Sequence, residues 1–152
     1  MDMDWRVAKP FVLAGSVAIV AGGFLAAYCI RRPSSDLIWL SAYLVLVFGV
    51  AQIVFGGGQG LLCDRSPRDG WVAAEWVVFN LGNLGVIIGT LSASFPLVLG
   101  GTVLFAVGIG MFLAGTRGRI RPRWLFGYRV LLGVIFLSSL VGLALAAVTR
   151  VG

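Results

Sequence analysis

Five polar side chains stand inside otherwise apolar sequence: Gln52, Gln59, Glu75, Asn80 and Asn83. Polar groups in hydrocarbon are expensive, so those that occur there hydrogen-bond, move protons or touch a ligand. Asn80 and Asn83 are three residues apart and share a helix face. At 100° per residue, Glu75 lies about 140° round from Asn80 and about 80° from Asn83. Their depths, set by the spans below, put Gln52 and Gln59 in the cytoplasmic half of the second span. Glu75 falls about one turn inside the same interface, and the two asparagines approach the midplane. The five are expected to converge on a polar pocket between the second and third spans. Such a pocket suits a polar head group, a quinone ring or a small solute. The same side chains also suit hydrogen bonds between helices, worth about 0.6 kcal/mol on average. Arg129 has a depth comparable to Glu75 and is a candidate ion-pair partner.

The chain contains no histidine. That excludes His-ligated haem, pigment and zinc sites and Ser-His-Asp catalysis. Glu75 is the single acid well inside an apolar segment, so a paired-carboxylate mechanism is not expected, and a one-acid proton relay is the acid–base chemistry left. No catalytic residue, metal site or cofactor is predicted. Gly56–Gly60 lacks the Gly-Lys-Ser/Thr of a phosphate loop. Those glycines are expected to break or bend a helix end instead.

The elements that must position these residues are transmembrane helices. Hydrophobic residues make up 59% of the chain, against about 45–50% for a soluble domain, and they are contiguous. A bilayer crossing needs about 20 apolar residues. The runs 11–30, 37–62, 71–92, 95–115 and 125–149 each meet that length. The prediction is an all-α polytopic bundle of five spans forming one integral membrane domain, 1–152, with connections too short to fold alone. Asp2 and Asp4 and a long first run argue against a cleaved signal, so the first span is expected to remain.

Cytoplasmic loops carry excess Lys and Arg. Arg6, Lys9, Arg65, Arg68, Arg117, Arg119, Arg121, Arg123 and Arg129 fall on one side, nine in all; Arg31, Arg32 and Arg150 fall on the other. Nine against three predicts the N-terminus inside and the C-terminus outside. The net charge of +6 is therefore an orientation signal rather than a nucleic-acid surface. Arg117, Arg119, Arg121 and Arg123 alternate along the fourth loop and could attract anionic lipid at about 1 kcal/mol per charge, or an acidic partner face. Arginine in place of lysine, with much Gly and Ala, suggests a GC-rich bacterial genome, and the expected location is the inner (cytoplasmic) membrane. Trp and Tyr gather near span ends, as an interfacial belt does. Cys29 and Cys63 fall at opposite membrane surfaces, too far apart for a disulfide.

Helices in lipid associate by close approach of small residues rather than by burying leucine. The first span carries Ala14, Ala18, Gly22 and Ala26 at four-residue spacing. The third carries Gly82 with the GxxxG pair Gly85 and Gly89, and the fourth Ala106, Gly110 and Ala114. At an offset of 58 the second span matches the fourth at Val45/Val103, Leu46/Leu104, Gly57/Gly115 and Gly60/Gly118, a candidate duplicated hairpin. Few reactive groups and many small-residue faces point to a non-enzymatic accessory or scaffold subunit. It would pack against larger membrane proteins or itself, with bound lipid or quinone. A small homo-oligomeric transporter or channel lined by the five polar residues is the other expectation.

Overall fold

The computed structural model describes residues 3–62, 67–115 and 122–148, with the side chains of 122–148 described in part. Five helices follow one another: α1 (Trp5–Cys29), α2 (Ser35–Leu62), α3 (Asp69–Leu91), α4 (Phe95–Gly115) and α5 (Pro122–Val148). No strand occurs among the described residues. The first four are each long and apolar enough to cross a bilayer, and α5 contains the apolar stretch Phe126–Ser138. The protein is a multi-pass membrane protein with an all-α fold. Large apolar side chains such as Val17, Phe24, Leu46, Leu81, Val107 and Leu137 are exposed. Such a surface would aggregate in water and is ordinary against lipid.

Local sequence explains the helix ends. Asp4 caps α1, its Oδ1 accepting from the Arg6 amide at 3.0 Å. Pro10 lies near the start of α1 and is accommodated inside it. Asp36 and Asp69 sit in the first turns of α2 and α3, where the helix dipole favours negative charge. Between α3 and α4, Ser94 N–H donates to the Gly89 carbonyl at 2.8 Å and Ala93 N–H to Thr90 at 3.1 Å. These are the paired bonds of a Schellman stop. Ala93 takes the left-handed position usually held by glycine, with φ 51°.

The chain divides into two compact units, Met1–Leu61 and Leu62–Gly152. In the first, α1 and α2 form an antiparallel hairpin with glycines on both helices. A Cβ on Gly15 would lie 2.7 Å from the Gly49 carbonyl oxygen, and one on Gly22 would lie 2.7 Å from Val45 Cγ2. Further along, Gly56 lies against the Phe11 ring, with no room for a side chain. Ala8, Gly15, Gly22 and Cys29 are all buried, at seven-residue intervals. This is not the stripe expected from four-residue spacing. Ala18 and Gly22 are buried, but Ala14 is half-buried and Ala26 exposed. The reason is helical drift: four residues turn the helix about 400°, so a strict four-residue stripe slips about 40° per step, and a seven-residue one about 20°.

The Gly56–Gly60 run does not break α2, which stays helical to Leu62. Gly60 instead meets the N-terminal end of the chain, its carbonyl accepting from Asp4 N–H at 3.0 Å. The irregular stretch of α2 lies earlier: Leu44–Val50 is a π-helix.

In the second unit, α3 and α4 form the tighter hairpin. A Cβ on Gly82 would lie 2.5 Å from the Phe105 amide nitrogen. One on Gly85 would lie 2.8 Å from Gly101 Cα, and one on Gly89 2.5 Å from the Val98 amide nitrogen. Gly101 is pressed against the backbone of Gly85 and Val86. Gly110, in the small-residue stripe expected on the fourth span, faces open space, and the packed glycines of α4 are Gly101 and Gly108. Phe79 stacks tilted on Phe105 (5.2 Å) and edge-on to Phe112 (6.0 Å), filling the seam beyond the glycines. Helix α5 packs on α4.

Two outcomes follow for this hairpin. Gly101→Val forces the backbones apart and should cost about 3 kcal/mol or more, whereas Gly100→Val, which meets nothing within 4 Å, should be near neutral; thermal unfolding in detergent compares them. Ala93→Gly relieves the left-handed strain and should stabilise by about 1 kcal/mol, read as a raised melting temperature in the same assay.

Candidate functional site

The five intramembrane polar residues fall on two helices, one in each unit. Gln52 and Gln59 belong to the last part of α2 and have no exposed surface. They are seven residues apart, within one turn of Gly49 and Gly56, on the face that α2 presents to α1. Glu75, Asn80 and Asn83 belong to α3; Glu75 and Asn83 are wholly buried and Asn80 is 8% exposed.

Helix α3 supplies several of their hydrogen bonds itself. Trp71, one turn earlier, donates its indole Nε1–H to Glu75 Oε1 at 2.6 Å. Asn80 Nδ2 donates to the Trp76 carbonyl at 2.7 Å, and Asn83 Nδ2 to the Phe79 carbonyl at 2.9 Å. The hydroxyls behave alike: Thr102 Oγ1 donates to the Val98 carbonyl at 2.8 Å and Ser41 Oγ to the Ile38 carbonyl at 2.9 Å. Polar side chains that fold back on the preceding turn shed their desolvation cost without needing a second helix.

The antiparallel register fixes the level of Glu75. Phe79 faces Gly108 and Gly82 faces Phe105, so one turn further toward the chain's 63–66 connection Glu75 comes level with Phe112. Helix α4 carries no ionisable residue anywhere along its length. Within the α3–α4 seam, then, the carboxyl group lies level with Phe112 and accepts from an indole donor. This geometry allows one carboxyl to hold or pass a proton and offers no second acid on α4 for paired acid–base work.

Trp71 is the site residue that the interfacial-belt reading overlooks. Its i, i+4 spacing to Glu75 was the available signal. Buried Thr102 and Tyr128 were likewise not singled out as interior groups. Trp39 and Tyr43 stack at 5.0 Å near the start of α2. Cys29 is a buried free thiol, and Cys63 lies outside the described residues. Arg117, Arg119 and Arg121 also lie outside them, as does the side chain of Arg123. Among the described residues no three His, Cys, Asp or Glu side chains gather as a metal site would require.

Comparison with family models, with curated proteins and with solved structures finds no match to this chain. The functional reading therefore rests on its own residues.

The Trp71–Glu75 bond is directly testable. Trp71→Phe leaves a buried carboxyl without its indole donor and should cost about 1–3 kcal/mol. Glu75→Gln keeps an acceptor oxygen for the indole and should cost less; equal destabilisation of the two variants in thermal unfolding would contradict this account.

Proposed function

We propose that the protein is an accessory or scaffold subunit of a bacterial cytoplasmic membrane, packing against larger integral membrane proteins and holding lipid or a quinone at its surface. The observation that carries this reading is the burial of all five intramembrane polar side chains, Gln52, Gln59, Glu75, Asn80 and Asn83. A transport path needs such groups on a surface that water or solute reaches. On α3, several of their hydrogen bonds instead go to the helix that carries them. Groups so committed hold a helix in shape.

Two further features support it. The exposed surface of every helix is rich in large apolar side chains, which suits lipid and the flanks of other transmembrane helices alike. The basic residues, nine against three, favour a cytoplasmic N-terminus. That orientation places the arginines at 117, 119, 121 and 123 at the inner surface, where anionic lipid or an acidic partner would meet them.

The test is mild detergent extraction from native membranes through a C-terminal tag, followed by intact-complex mass spectrometry. The expected result is one or more larger membrane proteins in fixed stoichiometry with this chain. A homo-oligomer alone would instead favour a small transporter or channel, with Glu75 the first side chain to neutralise.

A further inference from the structure

Helix α1 begins before its apolar run does. The run starts at Phe11, whereas the helix starts at Trp5. At a rise of about 1.5 Å per residue, Lys9 lies about 3 Å outside the start of the run and Trp5 about 9 Å. The headgroup layer on one side of a bilayer is about 5–7 Å deep. The first two turns of α1 therefore carry their side chains through that layer on regular helix. The other end differs. There α1 stops at Cys29, and Arg31 and Arg32 follow in the turn, their amide N–H groups donating to the Tyr28 carbonyl.

Three exposed side chains stand on those first turns: Trp5, Arg6 and Lys9. Trp5 and Lys9 are four residues apart and share a face. Arg6 is engaged by the helix cap: its Nη2 lies 3.6 Å from Asp4 Oδ2, while Asp4 Oδ1 accepts from the Arg6 amide. That pair sums to no net charge. Lys9, the single lysine of the chain, makes no ion pair among the described residues. An ammonium at the level of the phosphates, with an indole one turn nearer the water, is a donor pair suited to an anionic headgroup.

Toward the midplane the same face stays bare. At about 100° per residue, Trp5, Lys9, Ser16 and Gly23 fall within about 40° of one another. Ser16 is exposed, and a Cβ on Gly23 would meet nothing within 4 Å. Leu13 and Val20, both exposed, stand beside them. A free anion would match the charge but not the apolar surface that continues from it. A phospholipid matches both, with a phosphate for the ammonium and acyl chains for the face beneath.

We propose that the N-terminal end of α1 is a docking surface for an anionic phospholipid, its phosphate held by the Lys9 ammonium with the Trp5 indole beside it and its acyl chains along the exposed face of the helix. Lipid docking here rests on the lipid-holding part of the reading above and needs no larger partner, so the two fail separately.

The single lysine makes the surface chemically addressable. The full-length protein is placed in nanodiscs, which leave both bilayer faces open, made of phosphatidylcholine alone or of phosphatidylcholine with phosphatidylglycerol. Acylation of Lys9 by an amine-reactive ester is followed by peptide mass mapping, which separates it from the N-terminal amine. An ammonium held by phosphate cannot attack the ester. Phosphatidylglycerol is therefore expected to slow Lys9 acylation by up to about fivefold, the occupancy that one exposed ion pair supports. Arg31→Lys supplies a second amine, past the far end of the same helix and under the same surface potential, and it is expected to slow less. Equal slowing of the two amines, or slowing of neither, overturns the proposal. So does an equal slowing of Lys9 when inorganic phosphate is added to phosphatidylcholine discs, which would assign the contact to a free anion.

Discussion

Lipid removes the force that assembles soluble helix bundles. Acyl chains solvate leucine as well as another helix does, so apolar burial contributes little between helices, and dispersion at short range has to hold them together. Dispersion decays steeply with distance. The rest of this structure follows from how closely two backbones can approach. At Gly82, Gly85, Gly89 and Gly101 the approach is backbone to backbone, with would-be Cβ atoms landing on amide nitrogens and α-carbons. The phenylalanines then fill the wider part of each seam, Phe11 in one hairpin and Phe79 with its two ring neighbours in the other.

The same solvent governs the polar side chains. With no water at the midplane, an amide or carboxyl group must find its partners within the protein. Asn80, Asn83 and Thr102 do so by reaching back to the carbonyl four residues earlier, and Glu75 draws the indole hydrogen of Trp71 from the same distance along the helix. Residues that would signal a ligand site in a soluble pocket can thus draw a hydrogen bond each from their own helix. Their burial, more than their identity, weighs toward an interior that is built rather than open.

Much of the fold was legible in the sequence. Helix number and the all-α class follow from runs of about 20 apolar residues, because bilayer thickness and helical rise favour that length. The turn at Ser92–Ser94 was readable as the break between the third and fourth spans. The packed faces were harder. Ala14 and Ala26 share the four-residue spacing of Ala18 and Gly22, yet the face that closes is the one through Ala8 and Gly15. Gly110 resembles Gly108 in composition and neighbourhood, yet only Gly108 meets another helix. Spacing states which residues share a face of an isolated helix, not which face a partner takes.

The sequence by itself determined the solvent of this protein, its helical class and the chemistry that lacks a histidine. These depend on residue type counted along one dimension. Only the tertiary structure decided that Phe11, Gly15 and Gly22 lie against Gly56, Gly49 and Val45, that Gly101 presses on the backbone of Gly85 and Val86, and that α2 takes a π turn at Leu44–Val50. These depend on rotation and register between two helices. A change of one residue turns a helix by about 100°, and apolar sequence tolerates every such rotation until a second backbone comes close enough to permit just one.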